Sequence, residues 1–341
     1  MNKLIIIKYM TLVFDFIKTE KFIQMKQSIF LFIALLGIGF WSCSDDQMEE
    51  RFVPDPEVAS ENPVTKAAQE GLNVKAMTFN VRVYSPGDGS NNWPNRKNVA
   101  AQVIKNEAVD VVGTQEMSWT LWVIDQFNDL KTLLNADYGS YGHGRDEGWV
   151  SDENIAIFYK KSRFTLINSG VFWLSPTPDV KSIGWDAAYR RIAVWTILED
   201  KTSGQRFFAI NTHLDNAGAT ARLEGAKLIL DKIGSLSGGL PVILMGDFNA
   251  VPSSAPVQYL VNSSTPNYLL HTKDVAETQT GPNWTVHDFG ATPPDQRIFI
   301  DYIFVNQQSV VINHTVLPAR LNDIFLSDHC PVTAQILLVN P

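Results

Sequence analysis

The chain has 341 residues, of which 45% are hydrophobic and 19% charged, with a formal charge of −8; such a composition excludes disordered and fibrous classes and fits a soluble globular protein. Its charge is unevenly spread: residues 1–42 set five Lys against Asp15 and Glu20, a net of +3, residues 43–71 set eight acids against Arg51 and Lys66, a net of −6, and residues 72–341 carry only −5. No Lys/Arg run of the kind that tracks a nucleic-acid backbone is present, which argues against tight nucleic-acid binding though not against catalysis on it, since a bound cation can reverse a local field.

The N-terminus reads as a targeting segment. Met25 offers a second start, and after it comes the apolar run Ile29 to Trp41. Its thirteen residues suit a signal-peptide core and fall short of the ~20 needed to span a bilayer. The segment resembles a bacterial lipoprotein signal, with residues 1–42 removed and Cys43 lipidated. Ser44-Asp45-Asp46 resembles the surface-export tag of lipoproteins in the Bacteroides group. An outer-membrane, surface-exposed lipoprotein is expected, and Cys43→Ala should release it from the membrane fraction; retention as tight as the parent's would reject the anchor. Lipidation of Cys43 leaves Cys330 alone, so no structural disulfide is expected, and Cys330 reads as a packing thiol.

From residue 43 to 71 no apolar period is visible, and Pro54, Pro56 and Pro63 stand among acids and small residues, the pattern of a flexible tether. The catalytic domain is expected over 72–341. Val74 to Val81 predicts a strand, and Asn92-Trp93-Pro94 opens a helix with Asn92 as cap. Val109 to Thr114 predicts a strand running out at Glu116, and Trp119 to Leu134 a helix. Strands follow at 154–159, 164–173, 192–198 and 207–211, with a long loop at 175–190. A helix is expected from Thr220 to Ile233, with Leu223, Ala226, Lys227 and Leu230 at helical spacing. Pro241 to Met245, Ile298 to Val305 and Val332 to Leu338 complete the strands. The order predicts an α/β protein with two sheets packed face to face and helices outside.

Polar motifs end many of these apolar runs: Phe79-Asn80-Val81-Arg82, Gln115-Glu116, Thr212-His213-Leu214-Asp215, Gly246-Asp247-Phe248-Asn249, Asp301-Tyr302 and Ser327-Asp328-His329. Carboxylates and carboxamides are the oxygen donors a hard cation needs, and two histidines beside acids suit acid–base chemistry. Asp247 and Asn249 flank Phe248, so an extended backbone would point both to one side, although an Asx turn is the plainer alternative. His143, His271 and His314 lack such neighbours and read as packed or surface residues.

In this order the motifs resemble the endonuclease/exonuclease/phosphatase superfamily, over residues 72 to about 340. The resemblance implies a four-layer sandwich, two central mixed β-sheets between outer helices, with the site at one end. It also implies that Glu116 binds the divalent ion, Mg²⁺ or its substitute Mn²⁺, with Asn80 as a neutral oxygen and Asp328 as a further ligand to metal or water. Asp247 and Asn249 would hold the attacking water and a phosphate oxygen. His213 and His329 would serve the developing charge and the proton, with Asp301 orienting His329. Arg82, Arg145 and Arg191, or Arg190, are the candidates for phosphate. Arg82 stands where apurinic-site endonucleases have Asp, which draws the chain toward the deoxyribonuclease branch.

The activity expected is metal-dependent hydrolysis of a small or head-group phosphodiester. An extracellular nuclease and a phosphomonoesterase on sugar or inositol phosphates are the alternatives. A non-catalytic binding module ranks last, because the motif set is complete. The protein is expected to be a monomer, with nucleic acid a partner only as substrate.

Overall fold

The computed structural model describes residues 71–339. The signal peptide, the start at Met25, Cys43 and the tether therefore lie outside the described residues. Among the described residues no helix is long and apolar enough to cross a membrane.

Two mixed sheets form the centre. The first runs β11 (Thr278–Thr280), β13 (Val310–Val316), β16 (Val332–Leu338), β1 (Leu72–Asn80), β2 (Val111–Thr120), β5 (Ser151–Lys160) and β4 (Tyr138–Gly144), with β3 (Ile124–Asp125) paired to β2. The second runs β10 (Leu270–His271), β12 (Asp301–Val305), β9 (Val242–Asp247), β8 (Arg206–His213), β7 (Ile192–Asp200) and β6 (Phe164–Trp173). A small hairpin, β14 (Arg320–Leu321) with β15 (Ile324–Phe325), stands apart.

Strand alternation builds the layers. On β1, Val74 and Ala76 join the core shared with the second sheet, whereas Met77 and Phe79 pack with α1 (Trp93–Asn106) and α2 (Gln126–Leu134). The second sheet is covered on its far side by α3 (Ala219–Leu236) and α4 (Ala255–Val261). Its strands accordingly read as unbroken apolar runs, Phe207 to Ile210 and Val242 to Met245, all buried, as strands without a wet face should. Helix, sheet, sheet, helix is the layering expected from the sequence.

Polar ties between the sheets use motif residues. Gln115 Nε2 donates to Asn211 Oδ1 at 2.7 Å and to Thr78 Oγ1 at 3.1 Å. Asn211 Nδ2 donates to the carbonyls of Thr114 and Ala156 at 2.9 and 3.0 Å. These carbonyls border a register shift between Thr114 and Met117, where the bulge leaves the ladder incomplete. Close approach here requires Gly113, since a Cβ would lie 2.6 Å from Asn211 Oδ1 and 3.0 Å from Met245 Cβ.

Several expectations need correction. The stretch from Trp119 is not helical. β2 continues to Thr120, pairing with residues 151–154 of β5, and α2 begins only at Gln126, where Asp125 Oδ1 accepts the Asn128 N–H at 2.9 Å; aromatic and β-branched residues in 119–124 favour the sheet once a partner strand is offered. Asn92 occupies the cap position of α1 without making the capping bond. The buried stripe of α3 is Ala221, Gly225, Ala226, Ile229, Leu230 and Ile233, rotated from the one expected, with Gly225 facing Leu174 and Leu214. The glycine-rich β4 gives no strand signal, whereas β13, absent from the expected strands, carries one in Val310, Val311, Ile312 and Val316.

Candidate active site

Parallel strands end, and antiparallel ones begin, at the same rim of the sandwich. β1 ends on Asn80, β8 on His213 and β9 on Asp247, while β12 starts at Asp301 directly opposite Asp247 and β16 follows Asp328 and His329. All are separated in sequence, yet the fold brings them into one cluster.

Its centre is a pair of carboxylates bridged by an amide. Asn80 Nδ2 donates to Glu116 Oε1 at 3.0 Å and to Asp247 Oδ2 at 2.9 Å, while its Oδ1 accepts the Arg82 N–H at 2.9 Å. Asn80 thus presents its nitrogen, not the expected neutral oxygen, to the acids, because a backbone N–H can be satisfied only by the oxygen. The second Glu116 oxygen accepts the Val83 N–H at 2.9 Å. Glu116 reaches this position with φ of 60°, a left-handed conformation unusual for a side-chain-bearing residue, on the bulge that re-aims it from the strand.

Asp247 and Asn249 form the Asx turn and converge all the same. Asp247 Oδ1 accepts the Asn249 N–H at 2.8 Å, with Asn249 at φ 47°; strand alternation is therefore not what aligns them. Asn249 Nδ2 lies 3.0 Å from His213 Nε2, and Asp247 Oδ2 lies 3.6 Å from the same nitrogen. Between them Phe248 is buried edge-on to Tyr302 and Phe304, which pins the turn. On the other side of Asp247, His329 Nδ1 donates to Asp301 Oδ2 at 2.9 Å.

Burial shapes the charge states. It would raise the Glu116 carboxyl, but the His213 and His329 charges and the Asn80 and Val83 hydrogen bonds hold it at about 2. Asp247 is pushed up by burial and by Asp301 beside it, as two neighbouring acids require. For His329, burial disfavours the imidazolium, yet Asp301, Asp328 and Asp247 together hold its pKa well above the ordinary value.

Three arginines converge on a cleft of about 320 Å³ that is also lined by Glu116, Glu153, Tyr189, His213, Asn216 and Asn249. Arg82, at φ 63°, is forked against Asp88 at 3.2 and 3.3 Å. Arg145 pairs with Glu153 at 2.9 Å and lies 4.6 Å over the Tyr189 ring. Arg191 reaches His213 Nδ1 at 3.1 Å, Asp215 at 3.3 Å and Asn216 at 3.2 Å. Arg190 instead turns to Asp146 on the surface. Asp328, expected to bind metal or water, is otherwise engaged: Arg82 Nη1 lies 3.3 Å from one oxygen and Ser327 Oγ donates to the other.

Sequence reasoning missed several contributors. Glu153 shares a face of β5 with Ile155 and Ile157, which enter the core between the sheets, and a Glu heading such an alternation was the available signal. Arg96 is wholly buried, and its Nη1 donates to the carbonyls of Val81 at 3.0 Å and Leu326 at 2.8 Å, tying the segments that carry Arg82 and Asp328; no local pattern marks it. Asp215 accepts the N–H groups of Ala188, Tyr189, Ala217 and Gly218 and so orders the loop that brings Tyr189 and Arg191 to the cleft. His271 and His314, as expected, pack in an aromatic cluster with Phe299 and Tyr302.

A family model described as Endonuclease/Exonuclease/phosphatase family matches residues 77–329. The chain belongs to this family. It is similar to an endonuclease/exonuclease/phosphatase from Bacteroides vulgatus, with 36% identity and a TM-score of 0.72 over 78% of this chain and 99% of that one. It is also similar to a mannosyl-6-phosphatase of Bacteroides thetaiotaomicron, with 31% identity and a TM-score of 0.68 over 77% of this chain and 99% of that one. The CCR4-Not complex 3'-5'-exoribonuclease subunit Ccr4 of Mycosarcoma maydis is 24% identical over 317 residues, which is 77% of this chain but only 42% of that protein. Members of this family are hydrolases acting on phosphoester bonds, and the chain spans about half the length of the curated relatives it matches.

Members of the endonuclease/exonuclease/phosphatase family generally use a divalent metal, and the residues here fit one. Ligand atoms of Glu116, His213 and Asp247 lie within 4.8 Å of one another, as do those of Asp247, Asp301 and His329. Asp301 Oδ1 is buried without a hydrogen-bond partner, and Asp247 beside it is hard to ionise. A cation would relieve both. The oxygen-rich donors match a hard ion.

Proposed function

We propose that the protein is a Mg²⁺-dependent phosphohydrolase of small phosphoesters, with a sugar phosphomonoester as the preferred substrate. The observation that carries this reading is the convergence of Arg82, Arg145 and Arg191 on one cleft beside Glu116, His213 and Asn249. A monoester brings close to two negative charges at neutral pH and a third free oxygen, and three guanidiniums, each held in place by a carboxylate, offer several N–H donors to such a group. Likeness to a mannosyl-6-phosphatase at 31% identity supports it, and moves the preference from the diester expected from sequence to the monoester alternative.

Glu116 and Asp247 would hold the ion, which supplies positive charge at the phosphoryl oxygens and favours ionisation of a bound water. Asn249 and His213 would donate to a phosphoryl oxygen, with Asn249 fixed by the turn and His213 by Arg191 and Glu153. The imidazolium of His329, held by Asp301, offers charge and a proton on the opposite side of Asp247.

The test compares turnover of an aryl phosphomonoester, an aryl phosphodiester, mannose 6-phosphate and plasmid DNA, with and without chelator. Monoester and mannose 6-phosphate should lead, chelator should abolish turnover, and moderate salt should change little. Faster cleavage of the aryl diester would restore the diester reading. Cleavage of DNA at the rate of the best small substrate, collapsing as salt rises, would make the protein a nuclease.

A further inference from the structure

We propose that the paired hairpin tip where β2 and β5 leave the first sheet is a binding site for a neutral saccharide, separate from the phosphoester cleft. Two turns meet there. Trp119 and Thr120 of β2 pair with Asp152 and Ser151 of β5, and the Leu121 N–H donates to the Val150 carbonyl at 2.8 Å. The joined turns expose Leu121, Trp122, Val123, Trp149 and Val150, with both tryptophans 88% exposed. Trp122 sits at φ 63°, so the backbone adopts an uncommon conformation at the residue that displays the indole. Contiguous exposed apolar side chains of this kind mark an interaction surface.

What it takes follows from the cavity that adjoins the two turns, lined by Trp119 and Gly148 from their flanks. A space of about 190 Å³, the scale of one sugar ring, is lined by Trp119, Asp125, Phe127, Gly148, Asp152 and Asn154. Aromatic rings offer flat apolar faces, and ionised carboxylates are acceptors only. A pyranose presents the complementary pair, an apolar C–H face and a ring of hydroxyl donors. The acceptors are held in place: Asp152 takes the N–H groups of Asp146 and Glu153 on one oxygen and of Gly148 on the other, Asp125 caps α2 with Oδ1, and Asn154 Nδ2 donates to the Met117 carbonyl.

Charge discriminates against the competing partners. Residues 119–125 and 146–154 contain Asp125, Asp146, Glu147, Asp152 and Glu153 and neither Lys nor Arg. Lys181, Arg190, Arg145 and Arg191 reach in to Glu147, Asp146 and Glu153, with His143 also beside Glu147. Among the described residues Asp125 and Asp152 have no cationic partner. These two unpaired carboxylates line the cavity and would repel a phosphate-rich polymer there, and the flanking cations are already engaged by Asp146, Glu147 and Glu153 and so are poorly placed to hold anionic lipid.

The tip is continuous with the cleft without being part of it. Arg145 and Glu153 line the cleft from the same β4–β5 hairpin, with the Arg145 N–H bonded to the Glu153 carbonyl at 3.0 Å. Strand alternation places Asp152 and Asn154 on the other face from Glu153. A saccharide held at the tip is therefore gripped without being hydrolysed, so this site stands or falls independently of the phosphomonoester reading.

The experiment titrates the full chain with mannotriose, maltotriose and galactotriose, followed by tryptophan emission and by calorimetry. At least one should bind, and Trp122→Ala and Trp149→Ala should each weaken it by about tenfold or more, a loss of about 1.4 kcal/mol. Both side chains are exposed, so melting temperature and aryl phosphate turnover should match the parent. Asp152→Asn serves as a second probe inside the cavity and should also weaken binding. The proposal is overturned if none of the three saccharides binds, or if binding survives in the double Trp122→Ala/Trp149→Ala variant. It is equally overturned if phosphatidylcholine vesicles sediment the parent but not that double variant, which would make the tip a membrane surface.

Discussion

Replacing His329 by alanine is expected to lower turnover by about 10²–10⁴, the range for loss of a general acid or base. His329 is buried, its Nδ1 is 2.9 Å from Asp301 Oδ2, and Asp301, Asp328 and Asp247 keep its pKa well above the ordinary value. It is therefore the imidazolium that is present at neutral pH, and activity resting on it should fall as pH rises through that raised pKa. Asp301→Asn removes the first of the charges that raise it. The alkaline limb of the pH–rate profile should accordingly move toward lower pH, a shift that a purely structural defect would not produce. The two residues act as one unit, so the double variant should be little worse than His329→Ala alone. A double defect equal to the product of the single defects would separate Asp301 from His329, and the pairing would have no catalytic meaning.

Glu116→Gln should nearly abolish activity at limiting metal and raise the metal concentration needed for half-maximal rate by about 10–100-fold or more. Even residues that merely support a ligand cost that much. The carboxyl is held at about 2, so the parent carries its charge at every usable pH, and the variant lacks it throughout. The substitution also misplaces a donor. Both oxygens accept N–H groups, from Asn80 and from Val83, and the new amide nitrogen must face one of them. Direct metal titration by calorimetry checks the assignment: unchanged affinity in Glu116→Gln would remove Glu116 from the metal site and leave Asp247 with the second converging group as the place to look.

The sequence by itself determined the layering and most of the site. Unbroken apolar runs such as Val242 to Met245 demand a strand covered on both faces, and the regular spacing in 219–236 demands a helix to cover it. Asn80, Glu116, His213, Asp247, Asn249, Asp301 and His329 were legible as polar residues beside apolar runs in an order that resembles the family's, although most of them are buried at the rim. Short-range pattern failed where the deciding partner is distant. Residues 119–120 became strand because β5 offered them hydrogen bonds, residues 124–125 pair back onto β2 after a turn, and the glycine-rich β4 is a strand only because β5 lies beside it.

Tertiary structure alone decided which atoms face which. Asn80 turned its nitrogen to the acids because the Arg82 N–H claims its oxygen. Asp328 faces Arg82, which is also paired with Asp88, and Asp88 carries no mark in the sequence. Gln115, which stands beside Glu116 in its motif, and Asn211 hold the two sheets together across Gly113. Such choices are settled by competition for buried hydrogen bonds among groups far apart in the chain, and a linear sequence shows the groups without showing which of them meet.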